Sequence, residues 1–188
     1  LHFGSMVAAV GSYLDARSRG GAWMVRIDDL DPPRVVPGAA ESILRCLEGF
    51  GMEWDGAVVY QSARREAYHA ALHRLRQAGL IYACACSRTA IDDAGRAGIE
   101  GTVYPGTCRG GLPAGRAARA LRLRTDNAEI GFDDRLQGRI RQRLEADIGD
   151  FVIYRADRVF AYHLACAVDD AGQGINHVVR GADLLAST

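Results

Sequence analysis

The chain has 188 residues, enough for one domain or for a domain carrying a sizeable insertion. Apolar residues make up 48% and charged residues 24%, as in an ordinary globular protein, and no apolar run is long enough to cross a bilayer. Twenty-three basic residues balance 23 acidic ones, which excludes a chain coated in positive charge but leaves room for a local nucleic-acid patch.

Five cysteines, two of them one residue apart, fit a reducing compartment and a metal site better than a disulfide framework. With no leader sequence before the first helix, a cytoplasmic location is expected. The chain opens at Leu1-His2-Phe3-Gly4-Ser5, directly before a helix, and stops at Leu185-Ala186-Ser187-Thr188, early in another. A piece of a longer protein is therefore expected.

Residues 5–19 carry Met6, Val10, Tyr13 and Leu14 among polar neighbours, which suits a helix capped by Ser5 and ended by Gly20-Gly21. Residues 22–27 read as a buried strand. It runs into Asp28-Asp29-Leu30-Asp31-Pro32-Pro33-Arg34, where the proline pair must take the chain out of the sheet. Acidic groups at the carboxyl end of such a strand sit where ligands bind in α/β proteins; the alternative is a solvated acidic loop. Pro37 is placed to open a second helix, with Ile43, Leu44, Leu47 and Phe50 on its apolar face and Gly51 at its end. After a Trp54-Asp55-Gly56 turn, Ser62 is expected to cap a third helix. Its face holds Tyr68, Leu72, Leu75 and Ala78, and Gly79 stops it. Helix–strand–helix–helix is the start of a wound α/β sheet.

Ile81–Cys84 is a short strand. Residues 87–118 are rich in Gly, Arg and Ala, with few large apolar side chains, and read as a loop-rich insertion that needs a cross-link to fold. Ala120–Arg124 alternates as a strand does, residues 132–141 suggest a strand pair around Gln137-Gly138, and Phe151–Tyr154 is a strand followed by an Asp157-Arg158 turn. Ala161–Val168 is apolar and leads into Asp169-Asp170. Val178–Gly181 reads as the end of a last strand, with Asp183 near the start of the next helix. Residues 1–80 and 119–188 are thus expected to form one α/β domain interrupted by an insertion at 81–118.

Cys84-x-Cys86 followed by Tyr104-x-x-x-Cys108 offers three thiolates and a phenol, a donor set suited to tetrahedral zinc; the alternative is three free thiols. Cys46 and Cys166 lie in apolar surroundings and read as core. His2-Phe3-Gly4-Ser5 sits at a helix start, where free N–H groups and the helix dipole suit phosphate, although a lone His-x-Gly is also an ordinary turn. Arg109, Arg116, Arg119, Arg122 and Arg124 form a basic run that could meet phosphates, or be a solvated face balanced by nearby acids.

Taken in order, these motifs resemble the catalytic core of class I glutamyl-tRNA synthetases, and within that group their shortened, queuosine-modifying paralogues. His2-Phe3-Gly4-Ser5 stands where the family has its ATP signature. Arg26-Ile27-Asp28-Asp29-Leu30-Asp31 is similar to its Arg-Ile-Glu-Asp-x-Asp motif, and Pro32-Pro33-Arg34-x-x-Pro37-Gly38-Ala39-Ala40 favours the paralogue. Phe160-Ala161-Tyr162-His163-Leu164-Ala165, Val168-Asp169-Asp170 and Val179-Arg180-Gly181-Ala182-Asp183 match later core motifs.

The resemblance implies a Rossmann-like α/β catalytic core with a zinc-binding insertion held by Cys84, Cys86, Tyr104 and Cys108. It implies ATP, with Mg2+, binding at His2, Gly4 and Ser5, with His2 as the catalytic group facing the triphosphate. Glutamate is expected at Asp28, Tyr162 and Arg180. Asp28 is one methylene shorter than the family's glutamate. The implied reaction forms glutamyl-adenylate and passes glutamate to queuosine in the anticodon of tRNA(Asp), in a monomer with no membrane partner. An aminoacylating glutamyl-tRNA synthetase acting on tRNA(Glu) and a non-catalytic zinc-stapled nucleic-acid module are the alternatives. The family's first strand, its Pro-Ser loop and its Lys-Met-Ser-Lys-Ser-like loop are not among these motifs, so the 188 residues alone are expected to be inactive.

Overall fold

A computed structural model describes all 188 residues. The chain divides into two compact units, Leu1–Ala67 with Ala167–Leu184, and Tyr68–Cys166 with Leu185–Thr188. No helix is long and apolar enough to cross a membrane.

In the first unit, α1 (Phe3–Ser18) begins two residues earlier than the sequence suggests. The cap is His2, whose Nδ1 accepts the Ser5 N–H at 3.3 Å. Ser5, expected as the cap, is instead the residue being capped, because the imidazole reaches the free N–H groups first. The helix ends as expected, with Gly20 at φ 65° and the Gly21 N–H closing onto Ala16 O at 2.9 Å. Met6, Ala9 and Tyr13 face the core, whereas Phe3, Val7, Val10 and Leu14 form a second, exposed stripe.

Strand β1 (Arg26–Ile27) is shorter than the expected 22–27, because its parallel partner offers only two residues. Pro32–Arg34 form a 3-10 turn. Helix α2 (Ala39–Gly49) is capped by left-handed Gly38, one residue after Pro37, which stays outside the helix. Phe50 falls beyond the helix end and is exposed. Strand β2 (Val59–Tyr60) pairs in parallel with β1, Arg26 opposite Val59 and Ile27 opposite Tyr60, and the sequence reading had missed it. Val25, Leu47 and Met52 form the buried core, packed by Trp23, Ile27, Ile43, Leu44, Trp54 and Val58 among others. Asp55 anchors this core to α1. It accepts the Trp23 N–H at 2.8 Å and Arg17 Nη1 at 2.7 Å, and these contacts hold its carboxyl below the usual range.

A 3-10 turn, Gln61–Arg64, leads into α3 (Arg65–Gln77), which carries the chain into the second unit. Ser62 does not cap it; its own N–H and hydroxyl are both taken by Asp29, at 2.8 and 2.6 Å.

The second unit contains β3 (Ile81–Cys84), α4 (Arg88–Ala94), a hairpin of β4 (Arg96–Gly98) and β5 (Gly101–Val103), and β6 (Ala120–Leu123). A second hairpin, β7 (Glu129–Asp134) and β8 (Gly138–Arg143), turns at Gln137-Gly138 as expected. Helix α5 (Leu144–Asp147), β9 (Val152–Tyr154) and α6 (Tyr162–Gln173) follow, and α6 returns the chain to the first unit. Strands β3, β6 and β9 make one antiparallel sheet in that order, with Tyr82 opposite Arg122 and Cys84 opposite Ala120. Beside it, Tyr68 and Tyr154 pack with tilted rings against Phe160, with centroids 5.4 and 5.0 Å from that of Phe160.

Val178–Gly181 is not a strand: it has extended sequence character but no paired neighbour. It leads into a 3-10 turn at Ala182–Ser187. Cys46 and Cys166, read as core, are both only half-buried.

Candidate functional site

The first cluster lies in the first unit, where β1 runs out into the acidic turn. Arg26 is its hub. Its Nε donates to Asp28 Oδ1 at 3.0 Å, and its Nη1 to Asp170 Oδ1 at 2.5 Å. Asp169 is fully buried and receives Arg64 Nε at 2.5 Å and Gln61 Nε2 at 3.0 Å. Three carboxylates therefore face two guanidiniums, which leaves one net negative charge beside the half-exposed Asp28 side chain. A buried carboxylate such as Asp169 is tolerable only because both its oxygens are met by donors.

The other expected contacts of this unit gather at α1. His2, Gly4 and Ser5 form its first turn, with His2 Nε2 2.8 Å from Ser5 Oγ. The 177–180 segment runs antiparallel along this helix: His177 Nδ1 lies 3.7 Å from Asp15 Oδ2. One turn earlier, a side chain at Gly11 would touch Val179. Arg180, the next residue, is half-buried. Tyr162 belongs to the second unit, where it opens α6 with its ring against His163, centroids 5.8 Å apart.

The second cluster is in the second unit. Cys84 Sγ, Cys86 Sγ and Cys108 Sγ all lie within 4.8 Å of one another. Cys86 Sγ is 3.7 Å from Cys108 Sγ, and Tyr104 Oη is 3.4 Å from Cys84 Sγ and 3.6 Å from Cys86 Sγ. A tetrahedral ion with bonds of about 2.3 Å to sulfur and about 2.0 Å to oxygen sets sulfur–sulfur edges of about 3.8 Å and sulfur–oxygen edges of about 3.5 Å. The three measured edges match those values, so the donor set fits such an ion. The shell around it is also formed: the Ala85 N–H donates to Cys108 Sγ at 3.5 Å, and the Cys108 N–H to Tyr104 Oη at 2.8 Å.

Burial pushes the Cys84 thiol up, but hydrogen bonds from Tyr104 and Arg122 outweigh it and bring the thiol down to about 7. Burial and the neighbouring thiols push the Tyr104 phenol well above its ordinary range. Of Cys84, Cys86 and Tyr104, Cys84 is the first to ionise.

Arg122 departs from the solvated basic run suggested by sequence. It is 7% exposed, and its guanidinium carbon sits 3.8 Å from the Tyr104 ring centroid. Arg109 is likewise engaged, with Glu145 at 2.7 Å, and Arg124 donates to Arg109 O at 2.7 Å. Arg26 entered the sequence reading only as part of a motif, and Arg64 and Gln61 not at all, because their partners Asp170 and Asp169 lie more than 100 residues away. Only the Asp169-Asp170 pair after an apolar run hinted at a buried counter-charge.

The family model for tRNA synthetases class I (E and Q), catalytic domain, matches residues 1–188. The chain belongs to that family. Among curated relatives of this synthetase domain, the glutamyl-Q tRNA(Asp) synthetase of Dechloromonas aromatica is 69% identical over 190 residues, and that of Chromobacterium violaceum 61% over 188. Both alignments take in 100% of this chain and 63% of the relative, so the chain spans 63% of their length. A solved glutamate tRNA ligase of Elizabethkingia meningosepticum, in complex with its amino acid, superposes with a TM-score of 0.83. It is 26% identical, and the match covers 100% of this chain and 42% of the ligase. The class I synthetase core expected from the motifs is therefore the fold of this chain.

Proposed function

We propose that this synthetase domain activates glutamate with ATP and passes the glutamyl group to queuosine in the anticodon of tRNA(Asp). The observation that carries the reading is 69% identity, over the whole chain, to an enzyme of that name. In the first step the glutamate side acting as nucleophile is its own carboxylate. It attacks the α-phosphorus, forming an acyl-adenylate and releasing pyrophosphate. A hydroxyl of the cyclopentene-diol then attacks the acyl carbon and releases AMP. The protein has little covalent chemistry to perform, so its residues position and stabilise charge.

The amino end of α1 suits the phosphates, because its free N–H groups and His2 are donors where negative charge develops. Arg180 offers a guanidinium fork, which binds a substrate carboxylate bidentately. Asp28 supplies the negative charge for the α-ammonium group. The net negative balance of the Arg26 cluster supports that role, and the ion pair with Arg26 fixes the direction of the Asp28 side chain. Tyr162, expected from the motifs as a further glutamate contact, opens α6 in the second unit. Mg2+ bound with ATP would screen the phosphate oxygens. Cys84, Cys86, Tyr104 and Cys108 would hold a structural zinc, supported by the tetrahedral edges of the donor set.

The test is transfer of labelled glutamate by the full-length protein to tRNA(Asp) with and without queuosine. Label that appears only on the queuosine-containing tRNA and survives removal of the 3′ end supports the reading. Label on the 3′ end of tRNA(Glu) instead would assign the protein to aminoacylation.

A further inference from the structure

Arg122 is a long, charged side chain placed where the fold has every reason to exclude one. It sits on the central strand of the β3–β6–β9 sheet and is 7% exposed. Register explains how it reaches the cysteine cluster. Arg122 stands opposite Tyr82, and Cys84 is two residues further along β3, so Cys84 lies on the same face as Tyr82, diagonal to Arg122. Diagonal neighbours in an antiparallel pair are within reach of long side chains. The guanidinium folds over the Tyr104 ring at 3.8 Å from its centroid.

Apart from the hydrogen bond to Cys84 that helps hold that thiol down, its hydrogen bonds do not account for its burial. Nη1 donates to Asp150 O at 2.6 Å, a neutral carbonyl, and Nε is buried with no hydrogen-bond partner. The nearby Asp150 carboxylate is met by other groups: Thr125 N–H at 2.8 Å, Thr125 Oγ1 at 2.9 Å, Tyr82 Oη at 2.5 Å and Arg109 Nε at 3.5 Å. A buried cation with an orphaned N–H is costly unless negative charge lies beside it. The cysteine cluster supplies that charge when loaded. A dication held by three thiolates carries one net negative charge even while the phenol stays neutral.

We infer that Arg122 is the charge-balancing partner of the metal cluster: a buried guanidinium stacked on Tyr104 that neutralises the excess charge of three thiolates around a dication and so raises metal affinity. This rests on the metal reading of Cys84, Cys86, Tyr104 and Cys108. It predicts that Arg122 matters to the loaded protein far more than to the stripped one.

The experiment compares wild type, Arg122→Lys, Arg122→Gln and Arg122→Met in the full-length protein. Zn2+ per chain is measured after dialysis, Zn2+ affinity by competition with a chromophoric chelator, and melting temperature with and without metal. Substituted Co2+ reports thiolate coordination through its charge-transfer absorption. Loss of the charge in Arg122→Gln and Arg122→Met is expected to weaken Zn2+ by about tenfold or more, as for other groups behind metal ligands. Arg122→Lys is expected to keep most of the affinity, and the metal-induced rise in melting temperature should shrink in Gln and Met but not in Lys. A wild type that holds neither Zn2+ nor Co2+ would sink the metal reading itself. A metal-binding wild type with equal losses in Lys and Gln, or with variants that melt lower by the same amount loaded and stripped, would reduce Arg122 to a packing residue. Should Arg122→Met fail to fold, the Lys–Gln pair carries the same comparison.

Discussion

Each unit holds a buried cluster, and the two are built from different materials. In the first, Val25, Leu47 and Met52 are wrapped by tryptophan, tyrosine, isoleucine and leucine side chains, and the polar cluster of Arg26, Asp169 and Arg64 is held by ion pairs. In the second, the corresponding buried group around the insertion is Cys84, Ala85, Tyr104 and Cys108, with Tyr82, Cys86 and Ile91 beside it. Three of those four buried residues are candidate metal donors, and the fourth is an alanine. An aliphatic core is stable from the moment it closes, whereas a core of thiols and a phenol gains its cohesion from an ion.

The sharpest way to break that contrast is to remove a donor. Cys84→Ser or Cys108→Ser should release about one metal per chain and loosen residues 84–108 in hydrogen exchange, while amides around Val25 and Leu47 stay protected. Unchanged metal content in both variants would dissolve the distinction. The equivalent injury to the first unit is Asp169→Ala, which leaves Arg64 and Gln61 facing an empty buried site. It should destabilise that unit by about 3–5 kcal/mol, read as a lower denaturant midpoint with metal content unaffected. Arg180→Ala is expected to lose about 1.5–3 kcal/mol of glutamate binding, seen as a raised KM for glutamate with little change in KM for ATP. Equal effects on both substrates would place Arg180 elsewhere.

Acid should separate the units as well. The Cys84 thiol is held down at about 7, below its ordinary value, so the stabilisation its thiolate contributes is complete above the ordinary thiol range. It fades as pH falls through about 7, because protons then compete with the metal for sulfur. The Zn2+ affinity, measured by chelator competition at a series of pH values, should therefore fall as pH drops below about 7. An affinity unchanged down to about pH 5 would contradict this. The smallest effect is expected at the tip of the β7–β8 hairpin, where Leu136 is 92% exposed. Leu136→Glu should change stability by no more than about 0.5 kcal/mol in a denaturant titration.

What could be read from sequence follows the same division. The thiol–phenol cluster was legible because its four members come from two short segments with fixed spacing, 84–86 and 104–108. The Arg26 hub was not, because Arg26 and Asp170 are 144 residues apart and only tertiary folding brings them together. Arg122 was misread as part of a solvated basic run for a related reason. Alternation reveals that residues 120, 122 and 124 share a face, but not which face is buried, and that depends on pairing with β3. The cap of α1 turned on one side chain: a histidine reached the free N–H groups ahead of the serine that propensity favours. Val178–Gly181 has strand-like composition, yet a ladder needs a partner and none pairs with it.

Glutamate-dependent ATP–pyrophosphate exchange by the full-length protein, with no tRNA added, tests the functional account most directly. Adenylate formation by the residues around α1, Asp28 and Arg180 predicts exchange that saturates with glutamate in the absence of any tRNA. Exchange that begins only when tRNA(Glu) is supplied, or none under either condition, would contradict it.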